Sequence, residues 1–204
     1  MNNKSINIIG GGLAGCEVAF QLSKKGIKTN LYEMRPKSKT EAHTTNFLAE
    51  LVCSNSFRSD DMNYNAVGVL HQELRLSNSL IMRSADKNKI PAGSALAVDR
   101  VEFSKFIDKE IKNDQNISFI NEEVKSLKQF EDNLIVIATG PLTSKNLAND
   151  LEKEVGKETL DFFDAIAPII YLDSIDMSIC WKQSRYDKGS GNDYINCPLN
   201  KNQY

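Results

Sequence analysis

Apolar positions along this chain come in two rhythms. Ile6, Ile8 and Ile9 form a short β-branched run that stops at Gly10-Gly11-Gly12, a pattern that predicts a strand. The segment after it opens a helix, which Gly26 closes as a C-cap glycine. Thr29 to Tyr32 predicts a second strand, and Pro36, with no amide to give to a ladder, ends it. Lys37 to Thr45 is polar and without an apolar period, hence a loop. Phe47, Leu48, Leu51 and Val52 give a short apolar face before the polar run Cys53 to Ser59. From Val67 to Ala85, Leu70, Leu74, Ser77 and Ile81 recur at three- and four-residue spacing, which predicts one helix with His71 at its surface or edge. Ile90 to Gly93 is a turn, and Asp99 is the expected N-cap of a helix running to about Lys112, with Phe103, Phe106, Ile107 and Ile111 inward. Ile117 to Ile120 predicts a strand, with Val124 and Leu127 extending its pairing. Leu134 to Ile137 is continuously apolar, which predicts a buried parallel strand ending in Ala138-Thr139-Gly140-Pro141. A charged helix from Leu142 to Phe163, a strand from Ile166 to Tyr171 and an irregular tail from Asp173 complete the pattern.

The first forty residues carry the most specific chemistry. Gly10, Gly12 and Gly15 fall in a G-x-G-x-x-G spacing between a strand and a helix, with Gly11, Leu13 and Ala14 filling it. In that setting the first glycine allows a tight turn. The second leaves room for a pyrophosphate, and the third lets the helix lie close to the strand. Amides at the helix start then face an anion. Glu33 stands 18 residues beyond Gly15 at the end of the second strand, where a carboxylate accepts ribose hydroxyls and repels a 2′-phosphate. An ordinary βαβ turn is the competing reading. Thr139 and Gly140 offer a second close backbone approach at the end of a parallel strand.

Composition narrows the classes. A net charge of −2, from 25 basic and 27 acidic residues, gives no global basic field for nucleic acid, although a local patch remains open. No apolar run nears the roughly 20 residues that span a bilayer. The first strand starts within a few residues of Met1, which leaves no room for a signal peptide, so a cytoplasmic location is expected. Cys16, Cys53, Cys180 and Cys197 include no C-x-x-C pair, and His43 and His71 are the only imidazoles; a zinc site is not expected and the thiols are expected reduced. Cys53-Ser54-Asn55-Ser56-Phe57-Arg58-Ser59 is dense in donors and acceptors, as a ligand-facing loop or a locally capped polar turn would be.

Taken together, IIGGGLAGCEVAFQL, LYEMRP, AELVCSNSFRS, NAVGVLHQELR, SLIMRSAD, PAGSALAVDR, ATGPLTS, SIDM, SRYDKG and NCP resemble one family. It is the folate- and FAD-dependent tRNA (uracil-5-)-methyltransferases, which form ribothymidine at the T-loop uridine. The resemblance covers nearly the whole chain but only the N-terminal half of such proteins. It implies an α/β fold: a Rossmann-like FAD-binding domain with a mostly parallel sheet, incomplete at the C-terminus. Residues 1–172 would be the FAD-binding domain, and 173–204 the start of a region leading to an insertion domain.

The same resemblance implies methylenetetrahydrofolate as carbon donor, NADH or NADPH as reductant of FAD, and tRNA as substrate. Gly10, Gly11, Gly12, Leu13, Ala14, Gly15 and Glu33 would hold the FAD pyrophosphate and ribose, and Thr139 and Gly140 would make a second FAD contact. Cys53 matches a cysteine implicated in catalysis, as nucleophile, acid or flavin partner. A second family cysteine would lie past Tyr204, and Cys197 belongs to a different motif. The chain alone is therefore expected not to methylate tRNA, and a partner chain carrying the C-terminal half would complete it. A non-catalytic FAD-binding remnant is the alternative. A generic FAD- or NAD-dependent oxidoreductase is a third reading, but it has no reason to carry LVCSNSFRS or PAGSALAVDR.

Overall fold

The computed structural model describes residues 5–130, 133–156, 170–184 and 191–203. Its centre is a four-stranded parallel sheet. The strands are β1 (Ile6–Ile9), β2 (Thr29–Glu33), β6 (Ile117–Asn121) and β7 (Ile135–Ile137), in the order β6-β2-β1-β7. Ile8 pairs with Leu31 and Val136, and Leu31 with Phe119, so adjacent strands run in register from the amino edge to the carboxyl edge. A second, antiparallel sheet joins β3 (Ser56–Ser59), β5 (Ala95–Val98) and β4 (Lys89–Ile90), with β5 central. The chain is thus α/β with a mostly parallel, Rossmann-like main sheet.

The period of two along the strands sorts the core into two layers. Ile8 and Leu31 face one side, where α1 (Leu13–Lys24), α3 (Leu80–Lys87) and α4 (Arg100–Lys112) bring Ala19, Phe20, Met82, Phe103 and Ile107 into one apolar cluster. Ile9 and Tyr32 face the other side, where α5 (Lys145–Val155) supplies Leu147 and Leu151 beside Val124 and Phe130. Ile8, Leu31, Phe103 and Ile107 are fully buried, each worth about 1.5–3 kcal/mol of transfer free energy.

Local chemistry sets the helix ends. Gly26, at φ +73°, closes α1: its amide donates to the Ser23 carbonyl at 2.8 Å and that of Ile27 to Leu22 at 3.0 Å. These two bonds make a Schellman cap. Asp99 caps α4 as its sequence predicts, its Oδ1 accepting the amides of Val101 at 2.9 Å and Glu102 at 3.0 Å.

Four expectations are corrected. The helix predicted over Val67 to Ala85 is two, α2 (Ala66–Leu76) and α3, separated at Asn78, whose φ is +55°. Ser79 then caps the second helix, and the Glu17 carboxylate of α1 accepts the amides of Leu80 at 3.3 Å and Ile81 at 3.0 Å. His71 is not a surface residue; it is buried, and its Nδ1 lies 3.0 Å from Asp60, which also holds Arg75 at 2.9 Å. Val124 and Leu127 do not extend β6. The chain leaves the sheet into a 3-10 turn, Leu127–Phe130, fixed by the Leu127 amide on Asp150 Oδ2 at 2.9 Å. Finally, among the described residues β7 is an end strand of its sheet and Ile137 is 43% exposed, so there its apolar run is not fully buried.

The C-terminal part of the Leu142 to Phe163 prediction lies outside the described residues, as does Ile166 to Pro168 with Ile169; Ile170 and Tyr171 are not in a strand. Trp181–Lys182 and Ile195–Asn196 form a small antiparallel hairpin, β8 and β9, in the tail read as irregular.

Candidate functional site

The carboxyl ends of β1, β2 and β7 meet at one edge of the main sheet, the place where open parallel sheets bind ligands. A cleft of about 300 Å³ opens there. Its floor is the turn from β1 into α1. Gly10, at φ +104°, makes the turn; a Cβ there would meet the Ala138 carbonyl oxygen at 2.6 Å, so the turns after β1 and β7 touch through bare backbone. A Cβ on Gly15 would strike the Gly10 carbonyl, which is how α1 can start so close under the strand. Gly12 differs from both. A Cβ on it would meet no protein atom within 4 Å, because this position faces the open cleft.

Helix α1 begins on this cleft without a side-chain cap, and its first turn has no acidic residue. The first amides of a helix lack intrahelical partners and carry the positive end of its dipole. An uncapped N-terminus lined by Gly12, Leu13 and Ala14 therefore fits a phosphate-bearing group.

Of the ten residues read from sequence as site residues, eight line the cleft: Gly10, Gly11, Gly12, Leu13, Ala14, Glu33, Thr139 and Gly140. Gly15 is buried behind the turn and packs the helix without lining the cleft. Cys53 is exposed and also outside the lining, although its neighbour Val52 belongs to it. On the far wall, the Thr139 and Thr143 hydroxyls lie 2.6 Å apart and Thr143 donates to the Gly140 carbonyl at 2.8 Å, which fixes the second turn.

Glu33 sits in a charged network that sequence reasoning missed. Its Oε2 accepts the Gly11 amide at 3.0 Å, and its Oε1 accepts Arg35 through both the amide at 3.0 Å and Nε at 2.9 Å. Arg35 is 2% exposed and reaches on to Glu50 Oε2 at 2.8 Å. Glu50 in turn accepts the amides of Thr44 at 2.9 Å and Thr45 at 3.0 Å, tying the polar loop to the cleft. Burial works against ionisation of both carboxylates, but for Glu33 the Arg35 contact, and for Glu50 chiefly the Thr44 bonds, outweigh it; both pKa values fall below the ordinary range. Burial, then the Arg35 charge, push the pKa of His43 at the cleft wall down. The available signal was the period of two: Leu31, Glu33 and Arg35 fall on one face of an extended segment, and Leu31 is core.

Comparison with known proteins bears on this arrangement. Residues 5–204 match the family described as "Glucose inhibited division protein A". The chain belongs to the GIDA family. Among curated proteins, this GIDA-family chain is 60% identical to "Methylenetetrahydrofolate--tRNA-(uracil-5-)-methyltransferase TrmFO" of Bartonella henselae, over 98% of this chain and 43% of that protein. The protein of the same name from Zymomonas mobilis is 57% identical over 98% of this chain and 44% of its own length. The chain thus spans less than half the length of the curated relatives it matches. The solved structure of Aquifex aeolicus GidA aligns at 18% identity and TM-score 0.48, over 60% of this chain and 20% of its own.

Proposed function

We propose that this chain is the FAD-binding N-terminal part of a folate-dependent tRNA (uracil-5-)-methyltransferase. The observation that carries this reading is the 60% identity over 98% of the chain to a relative of that name. The cleft supports the cofactor half of it. The uncapped start of α1 and the bare face of Gly12 would receive the FAD pyrophosphate, Glu33 the ribose, and Thr139 and Gly140 the opposite side of the nucleotide. When bound, FAD supplies the reducing electrons that convert a folate-borne one-carbon unit into a methyl group, with NADH or NADPH as their source.

The chain's own residues bind and orient. Glu33 is held ionised by Arg35 and the Gly11 amide, so it enters any complex as an acceptor and not as an acid. Cys53 is the accessible thiol beside the cleft, one residue from Val52, and we assign it the thiol role in the uracil chemistry. In this reading residues 1–172 form the FAD-binding domain and 173–204 open the next one. In this reading the remaining substrate-binding surface, including the tRNA contacts, belongs to sequence that the relatives have beyond the matched region.

The test is complementation. The chain, with FAD, methylenetetrahydrofolate, NADPH and a T-loop RNA, is assayed alone and with the unmatched segment of the Bartonella henselae relative. Ribothymidine is expected from the pair and not from the chain alone. Ribothymidine from residues 1–204 alone would refute the need for the further segment. None from a pair that co-purifies, under conditions where the intact relative is active, would count against the reading as a whole.

A further inference from the structure

Two cysteines lie outside the cleft, in the β8–β9 hairpin. Its register pairs Trp181 with Asn196 and Lys182 with Ile195, which sets Cys180 opposite Cys197 one step further on. The Gln183 amide donates to the Tyr194 carbonyl at 2.9 Å, so 183/194 and 181/196 are the hydrogen-bonded pairs. Cys180 and Cys197 then take the non-hydrogen-bonded position, where facing Cα atoms approach to about 4.5 Å. A disulfide tolerates Cα separations of roughly 4.4–6.8 Å. The side chains already face each other: the Cys180 thiol donates to Cys197 Sγ at 3.4 Å. Both are free thiols, Cys197 exposed and Cys180 half-buried, whereas Cys16 is sealed in the core.

The hairpin also has a defined place. The Gly93 amide donates to Asp193 Oδ2 at 2.6 Å, and the Tyr194 hydroxyl to the Ala92 carbonyl at 2.9 Å. These bonds set β9 against the turn before β5, where Tyr194 and Asn196 line a second cavity of about 750 Å³ together with Arg58 and Tyr64. With two residues per strand, the hairpin has little ladder of its own to keep that wall in position.

We infer that Cys180 and Cys197 form a reversible disulfide that clips the β8–β9 hairpin, made by exchange with a low-molecular-weight disulfide and reopened by a thiol reductant. With glutathione disulfide as oxidant, the Cys197 thiolate attacks one of its sulfurs and releases one glutathione. The Cys180 thiol then loses its proton to solvent and attacks Cys197 Sγ, expelling the second glutathione. Two protein thiols are oxidised to one disulfide while one glutathione disulfide is reduced to two thiols. Cys197 attacks first because it is the more exposed, and because the hydrogen bond to Cys197 raises the pKa of Cys180. The closed bond spans 17 positions and restricts the unfolded hairpin.

The protein is incubated with glutathione disulfide, its remaining thiols are alkylated, and it is analysed by intact mass and peptide mapping. The expected product is lighter by two hydrogens and yields a peptide joining Cys180 to Cys197 that dithiothreitol splits. Trp181, the sole tryptophan of the chain, adjoins Cys180, so its fluorescence should fall on oxidation and recover on reduction. Cys180→Ser and Cys197→Ser should each stop at a mixed disulfide with glutathione and show no such reversible quenching. Separate modification of Cys180 and Cys197 in the wild-type protein, or linkage of either to Cys53 in place of the other, would overturn the inference. The wild-type peptide map decides the matter even if a variant fails to fold.

Discussion

The Glu33 carboxylate accepts the amide of Gly11 at 3.0 Å, joining the end of β2 to the middle of the glycine turn. A Cβ on Gly11 would come within 2.8 Å of that same carboxylate oxygen. The Leu48 side chain and the acid together crowd out any side chain at this position, and the acid is held ionised by Arg35 behind it. The floor of the cleft and its polar wall are one hydrogen-bonded unit.

This unit predicts an acid-sensitive stability. Glu33 and Glu50 have folded-state pKa values below the ordinary 4.5. The stability they add is fully present above 4.5 and is lost as pH falls below it through the folded values. Glu50→Gln leaves Arg35 short of one buried partner and should cost about 3 kcal/mol at neutral pH. Urea midpoints measured from about pH 6 down to pH 3 should fall less steeply in the variant than in the wild type. Parallel pH profiles would show that Glu50 does not carry the effect.

Gly15→Ala should destabilise the fold without facing the ligand. Its new Cβ lands on the Gly10 carbonyl and forces α1 off the strand, at a cost of about 1–3 kcal/mol. Thermal denaturation followed by circular dichroism reads this directly. An unchanged melting temperature would mean that α1 does not seat as closely as the structure has it.

Asp99→Ala removes the acceptor for two amides at the start of α4 and should cost about 1 kcal/mol, with Asp99→Asn largely restoring it. Helix α4 carries Phe103, Ile107 and Ile111 into the main core, so the loss should appear in global unfolding and not as local fraying. Chemical denaturation of the three proteins tests this. Equal midpoints for all three would show that the cap contributes nothing.

What could be read from sequence was what depends on neighbours along the chain. The β1 run, the glycine turn, Gly26 and the Asp99 cap each follow from a few consecutive residues, and the eight cleft residues follow from two such turns, with Glu33 at the end of β2, meeting at the carboxyl edge of one sheet. What was missed depends on partners far away. The break at Asn78 is stabilised by Glu17 from another helix, His71 is buried because Asp60 receives it, and Arg35 is buried because Glu50, 15 residues on, receives its guanidinium. Polar residues such as these look like surface positions until their partners are known, since a buried charge is tolerated only when paired. The exposure of Ile137 is similar, because an apolar run by itself does not tell a central strand from an end strand.

Gly12→Val probes whether the cleft at the start of α1 holds FAD through its pyrophosphate. The substitution meets no protein atom near its Cβ, and Gly12 already has φ −78°, so the fold should tolerate it. The side chain would fill the space the pyrophosphate needs. Wild-type protein and variant are mixed with FAD, passed through gel filtration and read by visible absorption, with melting curves as a control for folding. Flavin bands are expected to travel with the wild type and to be absent from a variant of similar melting temperature. Equal FAD retention by the two proteins would contradict that placement of the cofactor.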